Sequence, residues 1–167
     1  MAIEGTARED IIRKHLPYIR RICAGFTDDP DELNDLVQEV SIQVWKSLKG
    51  FQAKSKITTW IYRITVNMCL YHIGKEKKKT VQQVRLSDEA VMTGADLSHD
   101  SQPNAMAEKL YEAIRKLKPI NRAVIMLYLD KRSYEEIAEI TGLTQSNIGV
   151  KINRIKIELK KKINHGY

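Results

Sequence analysis

Ser146, Asn147, Val150, Asn153, Arg154, Ile157 and Lys161 share one face of a helix if the last segment is projected at 100° per residue. Their chemistry suits a DNA groove. An asparagine matches adenine, an arginine matches guanine or grips phosphate, and an exposed valine can meet a thymine methyl. Lys160-Lys161-Lys162 adds phosphate affinity without sequence information. The bland alternative is a solvated two-helix corner, which would not favour Val150 and Ile157 on that face.

Two more groups of residues stand out. Trp60, Arg63 and Asn67 fill one wedge of a helix, and the loop before it supplies Lys54, Ser55, Lys56, Thr58 and Thr59. Aromatic, cationic and amide groups beside a polar loop suit unstacked bases of single-stranded DNA. Taken alone, Trp60 reads more simply as core. The other group surrounds Ile42, which projects about 180° from its helix's apolar stripe among Asp35, Gln38, Glu39 and Lys46. An apolar anchor ringed by charge and amide resembles a protein-docking surface, although one exposed Ile is by itself commonplace.

The elements that must carry these groups are helices. Ile12, Leu16, Ile19, Cys23 and Phe26 form a first stripe, which Pro17 should kink or divide. Asp29 as N-cap, Pro30 at the first helical position and Glu32 completing a capping box open a second helix. Leu33, Leu36, Val37, Val40, Val44 and Leu48 give its apolar face, and Gly50 ends it. A third helix is expected from about Thr58 to Ile73, stopped by Gly74. It has apolar residues on two sides, Ile57, Ile61, Ile64, Met68 and Tyr71 against Tyr62, Val66, Cys69 and Ile73, and so should be central to a bundle.

Residues 80–104 lose this periodicity and take a linker composition, with room for a short helix around Ser87 to Met92. Leu110, Ala113, Ile114 and Leu117 resume the helical pattern, and Pro119 opens another helix carrying Ile120, Ala123, Val124 and Leu127. Ser133-Tyr134-Glu135-Glu136 is a capping box for a short helix over Tyr134 to Thr141. Gly142 then supplies a left-handed turn, Leu143 plugs the corner and Thr144 caps the last helix, whose inner stripe is Ile148, Ile152, Ile155, Leu159 and Ile163. This is a helix-turn-helix. The fold expected is all-α: two small helical domains, 1–79 and 105–167, joined by a flexible acidic linker, 80–104.

Composition narrows the partners. The net charge is +7, unevenly spread. In residues 1–79, 14 Lys and Arg face 10 Asp and Glu; in 80–104 one faces four; in 105–167, 13 face seven. Two basic ends around an acidic middle point to nucleic acid, because neutralising phosphates releases condensed counterions. No apolar run is long enough to span a membrane and the amino terminus is polar and acidic, so a cytoplasmic protein is expected. Two cysteines exclude a disulfide framework, and the four histidines have no zinc-ligand spacing; no metal or other cofactor is expected. Asp35 and Glu39 lie one turn apart on a solvent-facing surface, and no nucleophile has a base beside it, so no enzyme is expected.

The run Asp35-Leu36-Val37-Gln38-Glu39-Val40, then Trp45, then Thr59-Trp60-Ile61-Tyr62-Arg63-Ile64-Thr65-Val66-Asn67, resembles the second conserved region of bacterial RNA polymerase sigma factors. Ser133 to Ala138 and Ile152-Asn153-Arg154 resemble their fourth region. Length and layout are similar to the compact extracytoplasmic-function (ECF) group, and the two motifs in this order are highly specific. The resemblance implies that Asp35, Gln38, Glu39, Ile42, Trp45 and Lys46 dock on core RNA polymerase. It implies that Lys54, Ser55, Lys56, Thr58, Thr59, Trp60, Arg63 and Asn67 recognise and help open −10 promoter DNA, capturing a flipped base. Ser146, Asn147, Val150, Lys151, Asn153 and Arg154 would read the −35 element as duplex. The linker would thread towards the RNA exit path, and an anti-sigma protein, often membrane-bound, would hold the factor inactive.

Gly149, Val150 and Asn153 depart from what relatives often carry, whereas Lys151 and Arg154 keep the basic pattern. The fold is unaffected, but the −35 sequence cannot be transferred from relatives. The competing reading is a stand-alone helix-turn-helix regulator, which would bind duplex DNA tightly without polymerase.

Overall fold

The computed structural model describes residues 4–86 and 104–165, and among these it is built from seven α-helices with no strand. The N-terminal half holds α1 (Gly5–Ala24), α2 (Pro30–Ser47) with a 3-10 turn at Leu48–Gly50, and α3 (Ile57–Leu86). The C-terminal half holds α4 (Ala105–Arg115), α5 (Pro119–Leu129), α6 (Tyr134–Thr141) and α7 (Gln145–Asn164). The short helix expected around Ser87 to Met92 lies outside the described residues.

Pro17 does not divide α1, which runs unbroken through it. The expected stripe holds at Ile19, Cys23 and Phe26, with Ile12 packed against the core, but Leu16 is exposed, and His15 and Ile22 are buried in addition. His15 enters the core because both ring nitrogens find partners. Nδ1 donates to the Ile11 carbonyl at 2.7 Å, and Nε2 pairs with Thr58 Oγ1 at 3.3 Å.

Asp29 caps α2 as expected, accepting from the Asp31 and Glu32 amides, with Pro30 in the first turn. Glu32 does not complete the capping box. Its carboxylate accepts from Thr27 Oγ1 at 2.8 Å instead, and Thr27 Oγ1 accepts from the Asp29 amide. A nearer hydroxyl has taken the reciprocal partner. The stripe Leu36, Val37, Val40, Val44 and Leu48 is buried as expected.

Gly74 does not stop α3. The helix continues to Leu86, because one glycine costs only about 1 kcal/mol in a helix and the residues after it are mainly strong helix formers. The two-sided burial expected of this helix is present at Ile61, Tyr62, Val66, Cys69 and Ile73, but Tyr71 is 71% exposed. Cys23 and Cys69 meet in this core as free thiols, 3.8 Å apart. Burial, and then the neighbouring sulfur, pushes the Cys69 thiol well above its ordinary pKa.

The helix-turn-helix forms as its punctuation demands. Ser133 and Glu136 exchange both capping-box bonds, Gly142 adopts φ 78°, and Thr144 Oγ1 accepts from the Asn147 amide. Ile137, Ile140, Ile148, Ile152, Ile155 and Leu159 are buried between α5, α6 and α7.

The halves pack against each other, α6 and α5 lying on α3 and α5 also on α1. This explains α5, which is buried on more than one face: Ile125 and Met126 are buried alongside the expected Ala123, Val124 and Leu127. Met126 reaches across to Gly25, where a Cβ would stand 2.6 Å from its Cγ. Gly25 has φ −75°, so its smallness serves this close approach and not a turn.

Candidate nucleic-acid and polymerase interfaces

The outer face of α7 gathers most of the group of residues that the sequence places opposite the core stripe. Its core stripe turns Ser146, Asn147, Asn153 and Arg154 outward, all exposed, with Val150 47% and Ile157 59% exposed between them. Lys151 sits at the edge, half-buried, donating to Asn121 at 3.4 Å. The Thr144 cap begins the helix squarely, so its first turn presents free backbone amides beside Asn147. Gly149 faces the Tyr134 ring, where a Cβ would make ordinary contact at 3.5 Å.

The second surface surrounds the start of α3. Lys54 and Lys56 are exposed on the loop, while Ser55 and Thr58 are half-buried. Ala53 takes φ 55°, a strained value that sharpens the bend there. Trp60 is half-buried, edge-on to Phe51 at 5.3 Å between ring centroids. Its indole N–H has no hydrogen-bond partner. With Gly50, Gln52, Lys54 and Ser55 it lines a hollow of about 330 Å³. Thr59 is buried at 4% exposure, so it cannot itself meet a ligand. Asn67 is exposed two turns along. Arg63 projects towards α6, donating to the Glu139 carbonyl at 2.9 Å and lying 3.9 Å from its carboxylate.

The third surface is the outer face of α2. Asp35, Gln38, Glu39 and Lys46 are exposed around Ile42, which is 47% exposed. Trp45 is placed differently from the rest of that group. It is half-buried and turned to α1, with the Arg8 guanidinium 4.1 Å above its ring and Lys49 5.4 Å from it. Arg8 also donates to the Trp45 carbonyl at 3.4 Å.

Sequence reasoning missed the cluster that joins the halves. Asp130, at the end of α5, has a side chain only 4% exposed. It accepts from Arg21 Nε of α1 at 2.9 Å and from the Tyr62 hydroxyl of α3 in a short contact. Burial, and then this hydrogen bond, drives the Tyr62 phenol far above the ordinary tyrosine range. The same carboxylate raises the Arg21 pKa. Arg132 lies 5.4 Å from the Tyr62 ring, and Arg115 donates to the Ala24 carbonyl at 3.3 Å. The one available signal was α5 itself, whose Val124-Ile125-Met126-Leu127 run is too apolar for a one-sided helix.

Among the described residues no group of His, Cys, Asp or Glu could hold a metal, and no helix is long and apolar enough to cross a membrane. Residues 11–79 match the family model for sigma-70 region 2, and residues 107–159 match that for sigma-70 region 4. RNA polymerase sigma factor YlaC of Bacillus subtilis is 26% identical over 155 residues, spanning 92% of this chain and 90% of that protein. ECF RNA polymerase sigma factor SigW of the same organism is 24% identical, spanning 92% and 87%. Among solved structures, the sigma factor RpoE with the anti-sigma factor NepR from Bartonella quintana superposes with TM-score 0.73 at 20% identity, covering 95% of this chain and 98% of that one. CnrH bound to the cytosolic domain of CnrY gives 0.66 at 17% identity, covering 98% and 92%. With both regions matched in order and relatives aligned over nearly its whole length, this chain belongs to the sigma-70 family, as an ECF RNA polymerase sigma factor.

Proposed function

We propose that three surfaces of this sigma factor divide its work. The α2 face around Ile42, with Asp35, Gln38, Glu39 and Lys46, docks on core polymerase, and Trp45 holds that helix against α1. The loop Lys54 to Thr58, with Trp60, Arg63 and Asn67, takes the −10 element, buried Thr59 taking no direct part; the hollow beside Trp60 receives an unstacked base. Ser146, Asn147, Val150, Lys151, Asn153 and Arg154 on α7 read the −35 duplex. The division 1–79, 80–104 and 105–167 assigns −10 and polymerase binding to the first part and −35 reading to the last.

The observation that carries this reading is the exposure of apolar Val150 and Ile42 in the middle of two otherwise polar faces. Each is an anchor that only a partner would bury. On this reading the chain acts by binding, in the cytoplasm. Affinity is pooled from two modest DNA contacts and one protein dock. Both solved likenesses are held by a second protein, which supports an anti-sigma partner here, soluble or membrane-anchored.

The test is run-off transcription with purified core polymerase, with and without this protein, on templates from its own genome. Specific transcripts that require the protein, and that disappear with Arg154→Ala, uphold the assignment. Tight duplex binding by the protein alone, with no transcript from many templates, would favour a stand-alone regulator instead.

A further inference from the structure

We propose that an open cavity between the α1–α2 turn, α3, α4 and α5 is a binding site for a nucleoside phosphate. Its volume is about 620 Å³. Small-molecule sites span roughly 300–1,000 Å³, so a mononucleotide is of the right size. None of the residues assigned above to promoter DNA or to polymerase lines it.

Two arginines make the first argument. Arg115 of α4 and Arg122 of α5 both line the cavity, and both are half-buried. Each is fixed by a backbone carbonyl. Arg115 Nη1 donates to Ala24 at 3.3 Å, and Arg122 Nε donates to Leu117 at 2.9 Å. Neither has an ion-pair partner among the described residues. Burial, and then the charge of Arg115, lower the Arg122 pKa. Two like charges held near each other and partly desolvated are unfavourable on their own. A phosphate shared by both offsets that cost, and a guanidinium matches phosphate oxygens with paired hydrogen bonds. Lys77 of α3, exposed at the same cavity, adds a third cation.

The remaining lining chooses the kind of phosphate. Phe26 and Ile73 contribute apolar surface, which suits the face of a base. Three carboxylates are also present. Glu32 accepts from the Thr27 hydroxyl and Glu76 has a partner, which leaves Asp28, exposed and unpaired among the described residues. A carboxylate can only accept, so it suits a ribose hydroxyl or a base N–H. Cations, an apolar seat and one free acceptor together fit a ligand with phosphate at one end and a nucleoside at the other.

The test is isothermal titration calorimetry on the full chain with AMP, GMP, ribose 5-phosphate and inorganic phosphate. One nucleotide should bind per chain, about tenfold or more tighter than inorganic phosphate. At saturation it should raise the melting temperature by about 3 °C or more. Arg122→Gln should weaken nucleotide binding by about tenfold or more. Lys77→Gln lies at an exposed position and should weaken it by about threefold with an unchanged melt, so the proposal stays testable if Arg122→Gln folds poorly. Asp28→Asn should narrow the preference for nucleotide over inorganic phosphate. Lys161→Gln, in the basic tail and outside the cavity, should leave binding unchanged.

Failure of both nucleotides to bind, or equally tight binding of inorganic phosphate, would overturn the proposal. An equal loss in Lys161→Gln and Lys77→Gln would overturn it too, because ordinary attraction of an anion to a chain of net charge +7 would then account for the binding. Ribose 5-phosphate binding as tightly as AMP and GMP would overturn the assignment of a base to the Phe26–Ile73 surface.

Discussion

Ile42→Glu separates docking from folding most cleanly. Ile42 is 47% exposed in the free chain and its neighbours Asp35, Gln38, Glu39 and Lys46 are exposed too. Replacing it should therefore alter stability by no more than about 0.5 kcal/mol, the usual range for surface positions. In a docked complex the accounting changes. Fully burying an isoleucine side chain is worth about 1.5–3 kcal/mol, and roughly half of that remains to be gained when Ile42 meets a partner. Loss of that share alone, as in Ile42→Ala, should weaken binding by about fivefold. A glutamate adds the cost of placing a carboxylate in an apolar seat, some 2 kcal/mol or more, so the total of about 3 kcal/mol corresponds to at least a hundredfold. The assay is a fluorescence titration of labelled protein with core RNA polymerase, alongside a thermal melt. Polymerase affinity within threefold of wild type for Ile42→Glu, with an unchanged melt, would refute the assignment of this face.

Three further outcomes are expected. Ser133→Ala removes one half of the capping box of α6 and should lower stability by about 1 kcal/mol, read as a shifted denaturant midpoint with unchanged slope. Arg154→Ala should weaken holoenzyme binding to promoter duplex and reduce the dependence of log affinity on log salt by about one if the contact is to phosphate, or relax sequence preference at one base pair if it reads a base. Tyr62 holds its proton more tightly folded than unfolded, so its stabilising contribution is complete below the unfolded value near 10 and declines as pH rises above it. Denaturation followed between pH 9 and about 11 should show wild type losing stability faster than Tyr62→Phe; parallel curves would contradict the buried Tyr62–Asp130 bond.

Local chemistry made much of the fold legible. Asp29, Pro30, Ser133, Gly142 and Thr144 act within one turn of themselves, so their caps and turns are readable wherever the chain goes next. The outer face of α7 is legible for the same reason: a helix of known start fixes which side chains oppose its Ile148, Ile152 and Ile155 stripe. Where two partners competed, sequence spacing misled. Glu32 had both the Asp29 amide and the Thr27 hydroxyl within reach, and only the folded geometry chose the hydroxyl. Gly74 signals a stop only if nothing downstream favours continuing, and the run after it did.

The family motifs, the helix order and the two polar faces with apolar centres were thus written in the sequence, because each is set by neighbours three or four residues apart. The meeting of the halves was not. Arg21, Tyr62 and Asp130 are separated by up to 109 residues, and no local pattern distinguishes a surface arginine or aspartate from one that closes an interface. Only the tertiary structure brings them together, since burying a carboxylate is favourable solely where two distant donors converge on it.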